Sequence, residues 1–249
     1  MAFKSWRDFR EFEDEVKFNN RFVLSADAND FLKNLQTTLD SRVIAKAEGS
    51  ILYRSQIGYE KEPYYGYEIY TRFASERMKP RVRMASEGRA NPKGIPYLYL
   101  SNDKNTSMAE LRPHVGQNIS CAEFHIVRNL RLINCFDVKK EISYADCVFN
   151  PQLNQEDIVH VIWNKINNAF TKPITNDEGN SEYVPTQIIA EFFKREGYDG
   201  ICCKSHMGNG HNFILFNLND ADFVGGTLMQ TKEISFKFEE YLNSTHEQK

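Results

Sequence analysis

The 249-residue chain is 41% hydrophobic and 26% charged, the balance of a soluble globular protein long enough to bury a core. Its formal net charge of −3 gives no overall attraction to nucleic acid or anionic membrane, and no run approaches the roughly 20 apolar residues of a membrane helix. The five cysteines (Cys121, Cys135, Cys147, Cys202, Cys203) include no C-x-x-C pair, which argues for a reduced, cytoplasmic protein without a disulfide framework or structural zinc.

The N-terminal stretch Met1–Trp6 lacks the apolar core of a signal peptide. From Trp6 to about Leu39 the pattern is helical. Trp6, Phe9, Glu13 and Val16 fall at helical spacing with Phe12 widening the apolar side, and Phe31, Leu32, Leu35 and Leu39 make a second stripe after the turn-like Ser25-Ala26-Asp27. Glu13, Asp14 and Glu15 read as a solvated face. So many large apolar side chains must cover something: the main domain first, a second copy of the chain next, or a separate inhibitor.

Ser50–Arg54 is the first strand candidate. Five tyrosines between Tyr59 and Tyr70 suit either a ligand-facing loop or simple packing. Between Arg77 and Lys93 six basic residues face one acid, Glu87, as in a solvated loop or a phosphate-contacting one. A glycine-bounded loop, Gly88–Gly94, then enters the buried run Ile95–Leu100, a polar turn, and a short helix that Pro113 must stop. Ile119–Val127 and Leu130–Val138 read as two strands joined at Arg128-Asn129, and Glu156–Phe170 as an amphipathic helix. A loop follows to Ser181, then a helix from Pro185 to Arg195 that ends at Gly197. Tyr198–Cys203 and Phe213–Phe216 are strands about a glycine-rich hairpin loop, and the tail from Lys232 adds an edge strand or short helix. Strands without regular strand–helix alternation give an α+β class with a mixed or antiparallel sheet.

Gly208-Asn209-Gly210 lacks the third glycine of a dinucleotide fingerprint and precedes a strand, so a Rossmann site is rejected. No P-loop, H-E-x-x-H or G-x-S-x-G occurs, and the six histidines show no ligand spacing. Ser107-Met108-Ala109-Glu110 also reads as a capping box, which spacing alone favours over a catalytic role for Glu110. Tyr97 and Tyr99 share one side of a strand and are equally readable as core, and Ser205 as turn chemistry.

The ordered blocks Leu52-Tyr53-Arg54, Gly88–Gly94, Tyr97–Ser101, Met108–Pro113, Pro185-Thr186-Gln187, Gly197–Ile201, Ser205 and Asn212–Phe216 resemble the RES domain family, named for Arg, Glu and Ser. The resemblance spans roughly Gly49 to Phe223. It departs at Ala90, where the family often has an aromatic residue. It implies an ADP-ribosyltransferase-like fold and a cytoplasmic toxin that degrades NAD⁺ and is silenced by a protein antitoxin. By this match Glu110, Arg89 and Tyr99 are catalytic, while Arg54, Arg89, Tyr99, Ser205 and Asn212 bind NAD⁺. NAD⁺ is then substrate; no metal and no resident cofactor are expected. The residue types suit the task. A guanidinium grips pyrophosphate bidentately, a carboxylate stabilises an oxocarbenium-like state, a tyrosine face stacks on nicotinamide, and a serine orients the nucleotide.

The expected organisation is a helical N-terminal extension over 1–48, the RES domain over 49–225 and a tail over 226–249. Water is the first-ranked acceptor of ADP-ribose and phosphate the second. The alternatives are transfer to a macromolecule, or a non-catalytic nucleic-acid-binding module built on Arg77–Lys93.

Overall fold

The computed structural model describes residues 2–136, 147, 153–171, 180–235 and 237–238. Helix α1 (Asp8–Phe18) buries Phe9, Phe12 and Val16. Helix α2 (Ala26–Gln36) buries Phe31, Leu32 and Leu35, and the Ser25 hydroxyl caps it by accepting from the Ala28 amide. The acids of α1 are not a uniform solvated face. Glu15 accepts from both the amide and hydroxyl of Ser25, and Glu13 sits among Lys17, Glu182 and Lys165.

Strands β1 (Val43–Lys46), β2 (Ile51–Ile57), β3 (Glu60–Tyr64) and β4 (Tyr67–Thr71) precede the one-turn α3 (Ser75–Met78). Next come β5 (Leu98–Ser101), α4 (Lys104–Ala109), β6 (Asn118–Ile126) and β7 (Leu130–Asn134). Helices α5 (Gln155–Thr171) and α6 (Val184–Arg195) lead to β8 (Gly200–Lys204), β9 (His211–Leu215) and β10 (Ala221–Gln230). Pro185 stands in the first turn of α6, where its missing N–H costs nothing, and Gly197 leaves the helix at φ +85°.

Eight strands form one sheet in the order β1-β7-β8-β9-β5-β2-β6-β10, and β3 and β4 form a separate hairpin. The β7–β8 pair is parallel and the other pairs are antiparallel, so the class is α+β with a large mixed sheet. Period-two alternation divides the core. Leu98, Leu100, Phe213 and Leu215 enter one cluster, while Ile214, Phe216 and Ile201 enter the other with Phe9, Phe31, Trp163 and Phe193. The first cluster also joins Phe124 of β6 to Leu132 of β7, which lie near opposite ends of the strand order. The sheet therefore curls over that cluster while the helices cover its other face.

Several expectations change. The two strands around Arg128-Asn129 form, but they do not pair; β7 joins β1 and β8 far from β6. Val138, most of the loop after α5 and the tail beyond 238 lie outside the described residues. The stretch read as helical to residue 48 also supplies β1, which pairs with β7. Strand β10 runs through residue 225 and pairs with β6 along its whole length, with a register shift between Phe223 and Gly225. The tyrosines fall on the β3–β4 hairpin, closed by a two-residue turn at Tyr65 and Gly66, both with positive φ. Those side chains are largely exposed rather than packed in the core.

Candidate active site

Strands β2 and β5 share a single register pair, Tyr53↔Ser101. Where they part, a cavity of about 490 Å³ opens, lined from both strands, from α4 and from the end of α5. Arg54, Arg89, Tyr99, Glu110 and Asn212 all line it, and Ser205 lies directly behind Glu110. Candidates spread over 159 positions of sequence are thus gathered at one opening.

Glu110 is held by two donors. Ser205 Oγ donates to its Oε1 at 2.7 Å and Asn212 Nδ2 to the same oxygen at 2.6 Å. Asn212 is oriented in turn by Ser101 Oγ, which donates to Asn212 Oδ1 at 2.6 Å. The capping-box reading fails on geometry. Asp103 is the N-cap of α4, accepting from the Thr106 amide, and Glu110 is at the helix's C-terminal end. Ser107 is buried inside the helix and bonds Ser55 at 2.9 Å. The glycines of the Ser205 loop have a clear purpose. A Cβ at Gly208 or Gly210 would come within 2.5 or 2.8 Å of Thr106 Oγ1, so only glycine lets this loop lie on α4 and bring Ser205 to Glu110.

Arg54 is the electrostatic anomaly. Its Nη1 donates to the Tyr99 carbonyl at 3.1 Å, while its buried Nε has no hydrogen-bond partner. Burial pulls its pKa downward, yet a guanidinium stays charged in a protein. Among the described residues no carboxylate pairs with it. A cation so placed, facing a cavity, is complementary to an anionic ligand.

Arg89 sits on a loop that is strapped from several sides. Its Nη1 donates to the Phe170 carbonyl at 3.0 Å, at the negative end of α5. Its own carbonyl accepts from Thr186 Oγ1. Gln187 Nε2 donates to the carbonyls of Gly88 and Asn91 at 2.9 and 3.2 Å. Asn91 Nδ2 donates to the carbonyls of Ser86 and Ile95, both at 2.9 Å. Tyr99 completes the network. Its hydroxyl donates to Asn91 Oδ1 at 2.7 Å and accepts from the Ala90 amide at 3.1 Å. Burial raises the phenol's pKa strongly, which keeps it a neutral donor. The hydroxyl of Tyr99 is therefore engaged in fixing the Arg89 loop.

Asn91, Thr186 and Gln187 carry this network, yet the sequence marked them only as parts of resembling blocks. An Asn beside a Pro, and polar residues in the first buried turn of a helix, are signals too common to single out. Among the described residues, no group of three or more His, Cys, Asp or Glu is placed to hold a metal ion. The arrangement can bind an anion through two guanidiniums and offer a fixed carboxylate to a developing positive charge.

No curated protein matches the chain. A chain of the crystal structure of the M. tuberculosis MbcT–MbcA toxin–antitoxin complex aligns at a TM-score of 0.38 and 12% identity, over 79% of this chain and 92% of that one. The RES domain model matches residues 66–238, which leaves Arg54 outside the matched span, so the case for Arg54 rests on its geometry. With well over half of its length matched, the chain belongs to the RES domain family.

Proposed function

We propose that the protein is a RES-type toxin that cleaves the nicotinamide–ribose bond of NAD⁺ on an ADP-ribosyltransferase-like fold, with water as the first-ranked acceptor. The observation that carries this reading is Arg54, a cation with a buried, unpartnered Nε on the same cavity as Arg89 and the doubly held Glu110. NAD⁺ combines a pyrophosphate dianion with a cationic leaving group, and this cavity offers a complement to both.

In this reading Arg54 and Arg89 grip the pyrophosphate. The C–N glycosidic bond breaks and its electron pair leaves with neutral nicotinamide, so no strong general acid is needed. The ribose becomes oxocarbenium-like, and Glu110 stabilises that charge electrostatically. Water then adds at the anomeric carbon and releases a proton to solvent. Ser205 and Asn212 aim the carboxylate, and Tyr99 holds the Arg89 loop. Phosphate in place of water gives the phosphorylase variant of the same scheme.

RES family membership supports the toxin assignment and a protein antitoxin as partner. The nucleic-acid alternative loses support from the way the basic stretch is divided. Arg77 packs over Phe73, Lys79 pairs with Asp222, and Arg89 lines the cavity. Induced expression of the wild type should deplete cellular NAD⁺ and halt growth, and Glu110→Gln should do neither. Growth arrest that persists in Glu110→Gln, with NAD⁺ undiminished in both strains, would exclude the reading.

A further inference from the structure

The β3–β4 hairpin and the Arg81–Met84 segment are neighbouring patches of opposite character. On the hairpin Tyr65 and Tyr67 are 88% and 78% exposed, with Tyr64 and Tyr70 also open to solvent. Exposed tyrosines in a contiguous patch are the composition of an interface centre rather than of ordinary surface. The hairpin's charge is acidic. Lys61 pairs with Glu68, which leaves Glu60 and Glu62 in excess. These two, with Arg72 and Phe223, line a shallow hollow of about 540 Å³. The second patch has Val82 and Met84 at 67% and 75% exposure, flanked by Arg81 and Arg83, whose exposed guanidiniums have no ion-pair partner among the described residues. Both patches leave the same sheet edge. Arg72 stacks on Phe223 of β10, and Lys79 pairs with Asp222 one residue before it.

We propose that two copies of the chain associate about a two-fold axis, the tyrosine hairpin of each receiving the Arg81–Met84 segment of the other. The occupant is fixed by charge complementarity within one sequence: an acid-lined hollow beside apolar tyrosines, and two uncommitted guanidiniums beside exposed apolar side chains. Adjacent self-complementary patches on one edge satisfy the requirement of an isologous dimer that each contact be made twice. Arginine over tyrosine and arginine to carboxylate are the contacts expected there. The proposal does not depend on the NAD⁺ reading.

The test is sedimentation equilibrium of the full chain. The wild type should dimerise, and the dimer should weaken as salt rises. Glu60→Arg with Glu62→Arg, or Arg81→Glu with Arg83→Glu, should each weaken dimerisation at least tenfold. Mixing the two doubly substituted proteins should restore a dimer, because each then offers the complement the other lacks. The pair Tyr65→Ser and Tyr67→Ser, at side chains 88% and 78% exposed, should also give monomer while a thermal melt shows the fold intact. A wild type that stays monomeric at all concentrations overturns the proposal. So does a dimer indifferent to the charge reversals and the tyrosine substitutions, or a mixture that fails to reassociate while melting curves show both partners folded.

Discussion

The Ser205 hydroxyl donates to Glu110 Oε1 at 2.7 Å, joining the glycine-rich hairpin loop to the end of α4. A carboxylate fixed in this way can face a developing cation without reorganising. Loss of one hydrogen bond to a charged group is worth about 1.5–3 kcal/mol, so Ser205→Ala should lower kcat at least about tenfold. KM for NAD⁺ should change little, and Ser205→Thr should recover part of the rate. Steady-state kinetics of nicotinamide release decide this.

The two charged roles should separate kinetically. In the proposed reading Arg89→Ala and Arg54→Ala remove ground-state contacts to pyrophosphate, so each should chiefly raise KM. Glu110→Gln keeps the shape and both donors' neighbourhood but removes the charge, so it should chiefly lower kcat. A glutamine variant with near-normal turnover would leave Glu110 only a structural part.

Gln187 does not line the cavity, yet both of its bonds end on the Arg89 loop. Gln187→Glu sets a carboxylate against two carbonyls. We expect it to raise KM in the manner of Arg89→Ala, with a smaller effect on kcat. Titration with NAD⁺ beside a thermal melt distinguishes this from simple unfolding: a lowered Tm with unchanged KM would show that α6 does not position the loop.

The N-terminal segment should prove inseparable from the domain. Phe9, Phe12 and Phe31 share a buried cluster with Trp163 and Ile189, and β1 pairs with β7. Removal of residues 1–48 should therefore give aggregated or poorly folded protein, and Phe31→Ala alone should cost about 3–5 kcal/mol. Chemical denaturation measures the latter. A truncated chain as stable as the whole would refute this packing account.

Burial raises the pKa of Glu13, with Lys17 opposing and Glu182 adding to the rise. A carboxyl whose folded pKa is raised holds its proton more tightly in the folded state. Its contribution is thus favourable in acid and is lost as pH rises through the folded value. Glu13→Gln should raise Tm near neutral pH, with the gain shrinking towards about pH 4. An equal gain at both pH values would contradict this assignment.

The sequence made α1, α2, α5 and α6 legible because each keeps an apolar stripe at helical period. It hid β10, whose central Gly225-Gly226 breaks the apolar pattern and whose pairing comes from β6. It hid β1 because four residues carry too little periodicity to be read without β7. Strand neighbours were beyond reach, since β6 and β7 follow one another in sequence and part in space. For the site, the carboxylate and arginines were identified by type and order. What could not be read was that Glu110 is tethered from behind, or that Tyr99 turns its hydroxyl to Asn91. The first joins residues 95 positions apart and the second closes an irregular loop of no regular period, so spacing along the chain holds no record of either.

In the proposed function this cavity destroys NAD⁺ through the charge of Glu110. The direct measurement incubates purified protein with NAD⁺, with and without phosphate, and follows nicotinamide together with the ADP-ribose product. The wild type should release nicotinamide in step with ADP-ribose, and Glu110→Gln should nearly lose that release with its fold intact by thermal melt. No release by the wild type under either condition, or equal release by both proteins, would contradict it.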